Sequence, residues 1–210
     1  MSKVGLETLR VVVSVGIAGV GKSTVLNHTK KFLEGEGFLV EILNFGDYMF
    51  NYLIKTGLIK NRDEIRKLPL SKQREIQALA AKDMRKYIES LANERSNEKL
   101  IFFVDTHALI KTPSGYWPGL PEHVVKELRP DMIAVIEADP KEVLARQAKD
   151  VSRVRSDYSD LKIIEEVMGL IRVFAAVSAS YVGASLIIIY NEEGKAEEAG
   201  RSLAEAVKRL

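Results

Sequence analysis

With 210 residues and no cysteine, the chain is long enough to bury a full hydrophobic core by itself and has no disulfide framework, thiol nucleophile or cysteine-based metal site. A net charge of +2 and a pI near 8.6, with no Lys/Arg run interleaved with aromatics, argue against nucleic acid as a partner. The histidines His28, His107 and His123 show no metal-ligand spacing, and residues 1–10 lack the apolar stretch of a secretory signal, so a soluble cytoplasmic domain is expected.

Short β-branched runs alternate with longer amphipathic stretches. The predicted strands are Val11–Val15, Phe38–Leu43, Leu100–Val104, Met132–Ile136 and Leu186–Tyr190. Helical periodicity occupies Lys22–Gly35, Ser71–Glu94, Pro121–Leu128, Pro140–Lys149, Leu161–Val182 and Gly194–Arg209. Ser71 reads as an N-cap, Asp139-Pro140 as a helix start and Gly194 as the break before the last helix. The strands are continuously apolar, as expected of a parallel sheet covered on both faces, so the fold class is α/β. Val167–Tyr190 is long enough to span a bilayer, but Arg172 and Gly183-Ala184-Ser185 interrupt it; a buried helix followed by a buried strand explains it better. Two segments, Asp47–Leu68 (helical) and Lys149–Asp160 (charged), read as insertions at the sheet edge.

The segment with the most chemical content follows the first strand: Gly16-Ile17-Ala18-Gly19-Val20-Gly21-Lys22-Ser23-Thr24. This is G-x-x-x-x-G-K-S between a strand and a helix, the setting of a phosphate-binding P-loop. Its glycines let backbone N–H groups face an anion at a helix N-terminus. Lys22 can reach the β- and γ-phosphates, and the Ser23 hydroxyl can ligate Mg²⁺. Asp105, at the end of the third strand, suits a second Mg²⁺ ligand of the Walker B kind, with a helix cap or a salt-bridged aspartate as the plain alternatives.

Three further regions surround this centre. Asn44-Phe45-Gly46-Asp47-Tyr48-Met49 follows the second strand and reads either as a turn with an N-cap or as the start of an acceptor site. Residues 105–121 hold three prolines, two glycines, Tyr116 and the sole tryptophan, a stiff loop able to wall a base pocket. Arg146, Arg153 and Arg155 could close over a transferring phosphoryl group, or belong to a solvated charged loop. Arg172, alone among apolar residues, must snorkel out or meet an anion, either phosphate or a structural carboxylate.

These motifs, in this order and over nearly the whole length, resemble those of archaeal-type adenylate kinases. The markers are G-I-A-G-V-G-K-S-T at 16–24, N-F-G-D-Y-M at 44–49, R-D-E-I-R-K-L at 62–68, D-T-H-A-L-I-K-T-P-S-G-Y-W-P-G-L-P at 105–121, E-A-D-P at 137–140 and R-x-R-S-D-Y-S-D at 153–160. The resemblance implies a single P-loop nucleoside monophosphate kinase domain over residues 1–210, with a five-stranded parallel sheet, an NMP-binding lobe over about 44–70 and a lid over about 146–160. It implies reversible, Mg²⁺-dependent phosphoryl transfer, ATP + AMP = 2 ADP, which balances the adenine nucleotides. Gly16–Thr24 would bind the ATP phosphates. Gly46, Asp47, Arg62, Arg66, His107, Thr112 and Tyr116 would meet AMP. Arg146 would approach the ATP base, and Arg153, Arg155 and Arg172 the phosphates under the closed lid.

A homotrimer is implied as well, with the apolar helix around Val173–Val182 as its contact. The chain departs from other branches: without four lid cysteines a zinc-binding lid is excluded, Thr106-His107 replaces F-P-R, and Asn51 stands where arginine is common. Acceptor recognition therefore transfers less directly, and CMP, UMP or a metabolite remain alternative acceptors. A P-loop ATPase or GTPase switch is the rival from another class, although no N-K-x-D guanine motif occurs.

Overall fold

A computed structural model of the chain describes residues 9–60, 64–65, 68–112, 115–149 and 160–210. In chain order its first half comprises β1 (Leu9–Val15), α1 (Lys22–Gly35), β2 (Leu39–Asn44), α2 (Phe45–Lys55), α3 (Leu70–Glu94) and β3 (Leu100–Asp105). The second half comprises β4 (Leu109–Thr112), β5 (Gly115–Pro118), α4 (Glu122–Leu128), β6 (Met132–Glu137), α5 (Pro140–Lys149), α6 (Leu161–Ser180), β7 (Ser185–Tyr190) and α7 (Ala196–Lys208).

β1, β3 and β6 are almost wholly buried, which accounts for their unbroken apolar sequence. They form the centre of a five-stranded parallel sheet of order β2-β3-β1-β6-β7. Val11 lies opposite Phe102 of β3, and Val13 opposite Ile133 of β6. The chain leaves β1 toward one edge of the sheet and later fills the other side, so β1 marks the topological switch point. The crevice beyond the C-terminal strand ends there is where open α/β sheets bind ligands. α1 packs on α7, while α3, α4 and α6 make a second contiguous group of helices.

Several boundaries differ from the expectations. α2 begins at Phe45, and its N-cap is Asn44, whose side chain accepts from the Asp47 N–H; Gly46-Asp47 is thus the first turn of a helix. Ser71 lies within the first turn of α3, which starts from Pro69. The proline-rich loop contains an antiparallel hairpin, β4 with β5, in which Ile110 pairs with Trp117. Val167–Tyr190 resolves into α6 and β7, and no described helix is long and apolar enough to cross a membrane. Arg62 and Arg66 of the expected acceptor lobe, and Arg153 and Arg155 of the expected lid, lie outside the described residues.

Candidate active site

The loop leaves β1 under steric constraint. A Cβ on Gly16 would stand 2.5 Å from the Ile136 carbonyl oxygen of β6, so only glycine lets the backbone pass there. Gly21 caps α1 in the left-handed region (φ 85°) and offers no side-chain acceptor. The first-turn N–H groups of α1 therefore have neither an intrahelical partner nor a side-chain cap, and no acidic residue occupies that turn. This end of the helix is electropositive and open to an anion.

Lys22 folds back over the loop. Its Nζ lies 3.4 Å from the Gly16 carbonyl and 3.6 Å from the Asp105 carboxylate, and the two side chains are only 10% and 14% exposed. Asp105 ends β3, opposite Ser14 of β1 and Asn44 of β2. Asn44 donates to it at 3.5 Å through Nδ2 while its Oδ1 caps α2. One side chain thus couples the acidic group to the helix that follows β2. His107 brings Nδ1 to 3.1 Å from the Gly16 carbonyl, a contact that requires the proton on Nδ1.

These groups share a cavity of about 510 Å³. The loop contributes Ile17, Ala18, Gly19 and Gly21 through Thr24, and the start of α2 contributes Asn44, Phe45, Gly46 and Met49. Asp105 ends β3 and Thr106 and His107 follow it, and Ile110, Trp117 and Gly119 come from the hairpin region. Gln77 of α3 and Arg146 of α5 complete the lining. Arg146 donates through Nε to Glu193 at 3.1 Å and through Nη2 to Glu142 at 3.1 Å, with a further Nη2 contact to Glu193.

Other expected residues are engaged elsewhere. Thr112 donates to the Gly115 carbonyl across the hairpin tip at 2.8 Å, and the Tyr116 hydroxyl donates to Glu166 of α6 at 2.9 Å. Asp47 is exposed on the first turn of α2. Arg172 forms a fork with Glu137: Nε donates at 2.6 Å and Nη2 bonds the second oxygen. Of the two anions open to it from sequence, Arg172 meets the carboxylate here. That hydrogen bond, then the charge of Glu137, raises the Arg172 pKa above its ordinary value. None of these four residues lines the cavity. Gln77, by contrast, was not singled out from sequence. It is 1% exposed and donates to the Pro118 carbonyl at 3.2 Å. The signal was its place beside Gln73 on the apolar stripe Ile76, Ala80, Ala81 and Met84.

Among the described residues no cluster of three or more His, Cys, Asp or Glu could hold a metal by itself. The Ser23 hydroxyl and the Asp105 carboxylate both line the cavity, an oxygen-donor pair that fits a Mg²⁺ sharing its shell with phosphates and water.

A glycine-rich loop at the switch point, a strand-end aspartate beside its lysine, and a cavity running from the loop to a second wall define a P-loop kinase. The sequence profile of a family described as an AAA domain matches residues 15–164. The chain is 48% identical to the adenylate kinase of Saccharolobus solfataricus over 89% of its own length and 93% of the relative's. To that of Methanopyrus kandleri it is 44% identical, over 95% and 98%. The chain belongs to the adenylate kinases, with relatives mostly from archaea, and its activity is phosphoryl transfer between ATP and AMP. The solved shikimate kinase from Acinetobacter baumannii shares the fold, with a TM-score of 0.54 at 16% identity, covering 97% of this chain and 95% of that one.

Proposed function

We propose that this cavity holds both nucleotides end to end, the ATP phosphates on Gly16–Thr24 and AMP between α2 and the β4–β5 hairpin. The observation that carries this reading is the continuity of the cavity from Lys22, Ser23 and Thr24 to Phe45, Gly46, Met49 and Trp117. First-turn N–H groups of α1 and Lys22 would meet the charge that builds on the transferring phosphoryl group. The bond from the γ-phosphorus to the β,γ-bridging oxygen of ATP breaks as an oxygen of AMP attacks, leaving ADP on both sides. Lys22 Nζ lies against Asp105 and the Gly16 carbonyl, a position that keeps this cation within reach of the loop.

Mg²⁺ entering with ATP would be held by Ser23 and Asp105, where it would neutralise phosphate charge. His107 and Gly46, which line the cavity, are proposed to meet AMP. Arg62 and Arg66 are proposed for the AMP phosphate, and Arg146, Arg153 and Arg155 for the donor side and lid. Arg172 would join them only by leaving Glu137.

The reading includes a cytoplasmic homotrimer. It is supported by the exposed apolar row of Val173 and Val177 on α6 with Tyr181 at its C-cap, and by Leu186, Ile188 and Tyr190 on the adjoining edge strand β7. ADP formation measured over a panel of nucleoside monophosphates tests the site. AMP preferred over CMP and UMP, with inhibition by two adenosines joined through five phosphates, is expected. Equal use of all three monophosphates, or no binding of that analogue at micromolar levels, would refute the acceptor assignment.

A further inference from the structure

The carbonyl groups of the phosphate loop are held by side chains, one from the loop itself and the others from distant parts of the chain. Lys22 and His107 reach the Gly16 carbonyl, and Arg146 reaches that of Gly19 at 3.4 Å. The two shortest contacts come from amides. Gln147 donates through Nε2 to the Ala18 carbonyl at 2.6 Å, and Asn191 through Nδ2 to the Val20 carbonyl at 2.7 Å. These donors sit 129 and 171 residues away in sequence, on α5 and just after β7.

Both side chains are buried, at 9% and 3% exposure, and neither lines the cavity. Their oxygens, Gln147 Oε1 and Asn191 Oδ1, are buried without a hydrogen-bond partner among the described residues. A buried acceptor left unpaired is costly, so the feature that each amide contributes is its N–H. Asn191 is itself fixed, because its backbone N–H donates to the Glu137 carbonyl at 2.7 Å. The loop is shaped to admit it: a Cβ on Gly21 would come within 2.5 Å of Asn191 Nδ2, and one on Gly19 within 3.1 Å of Gln147 Cγ. The Arg146–Glu193 pair then ties α5 to the segment that follows Asn191.

A trans peptide unit is planar, with its C=O and the next N–H pointing in opposite directions. Drawing the Ala18 carbonyl toward Gln147, away from the cavity, turns the Gly19 N–H toward it. Drawing the Val20 carbonyl toward Asn191 does the same for the Gly21 N–H. Gly19 and Gly21 both line the cavity, while Val20 is buried. We propose that Gln147 and Asn191 are positioning residues that pre-set the Gly19 and Gly21 N–H groups for the donor phosphates before ATP arrives. The proposal rests on the reading that Gly16–Thr24 holds those phosphates.

Asn191→Asp keeps the size of the side chain but sets an oxygen against the Val20 carbonyl, and Gln147→Glu does the same at Ala18. ATP affinity by calorimetry without AMP, steady-state KM for each substrate, and the melting temperature are measured for both variants. Each is expected to bind ATP about tenfold or more weakly, with KM for AMP within about twofold, while the melting temperature falls because a carboxyl group is buried against a carbonyl. ATP affinity within about twofold of the parent in both variants would overturn the proposal. So would equal losses for ATP and AMP, or failure of both variants to fold, since either outcome makes the amides purely structural. If one variant fails to fold, the other decides. Lys22→Met separates this inference from the reading beneath it. Normal turnover in that variant refutes the loop's role, whereas lost turnover there with intact ATP binding in both amide variants refutes the clamp alone.

Discussion

Replacing Lys22 by methionine keeps an unbranched side chain one heavy atom shorter and removes one positive charge. That charge is 10% exposed, and its contacts include Asp105 at 3.6 Å and the Gly16 carbonyl at 3.4 Å. On the proposed reading, the same ammonium would stand beside the transferring phosphoryl group once nucleotide is bound. A preorganised donor of this kind in a water-poor site contributes about 3–4 kcal/mol to the transition state, or roughly a hundred- to a thousandfold in rate. The folded state loses less. Asp105 retains the Asn44 donor, and a partly buried ion pair removed from one side costs on the order of 1–2 kcal/mol, lowering the melting temperature by a few degrees in a chain of this size. A coupled assay of ADP formation at saturating ATP and AMP, run with a thermal melt, reads both quantities. Lys22→Met turnover within about tenfold of the parent would refute the assignment of Lys22 to the transferring group.

Arg172→Met leaves the Glu137 carboxylate, 3% exposed, without its guanidinium; because Arg172 is itself 55% exposed, the cost falls at about 2 kcal/mol, between the surface and buried limits. Denaturant melts should show that loss and its partial recovery in the Glu137→Gln/Arg172→Met double variant; an unchanged midpoint in the single variant contradicts it. Trp117→Leu removes a ring that is 7% exposed and lines the cavity, and should raise KM for AMP more than KM for ATP while destabilising the fold by about 2–3 kcal/mol. Equal KM changes for the two substrates would move the hairpin wall away from the acceptor. Ile188→Asp places a charge on the uncovered face of β7 and should yield monomers in light-scattering chromatography with the fold intact, whereas an unaltered mass would exclude this face from the contact.

What sequence reveals here follows the range of the forces involved. The central strands were legible because burial on both faces demands unbroken apolar runs such as Val11–Val15 and Leu100–Val104. The loop was legible because close backbone approach and left-handed φ at fixed spacing demand glycine. The β4–β5 hairpin was not: four-residue strands flanked by proline and glycine carry a turn signal stronger than their alternation. The start of α2 was missed by two residues because Asn44 serves as the last residue of a strand and as the cap of a helix. Gln147 and Asn191 lay beyond reach for another reason. Their partners are backbone carbonyls more than a hundred residues away, and a carbonyl leaves no mark on residue choice.

The strand order β2-β3-β1-β6-β7 divides the cavity into flanks of unequal freedom. On the β6–β7 flank, residues of β6, α5 and the segment after β7 abut or bond the phosphate loop directly: Ile136, Gln147 and Asn191. On the β2–β3 flank His107 also reaches the Gly16 carbonyl, while Phe45, Met49 and Trp117 line the cavity, so substituting these three alters its shape and leaves the loop carbonyls tied. On the proposed reading, drift in sequence on that second flank would retune which acceptor fits, while the donor end stays locked by geometry that few residues satisfy.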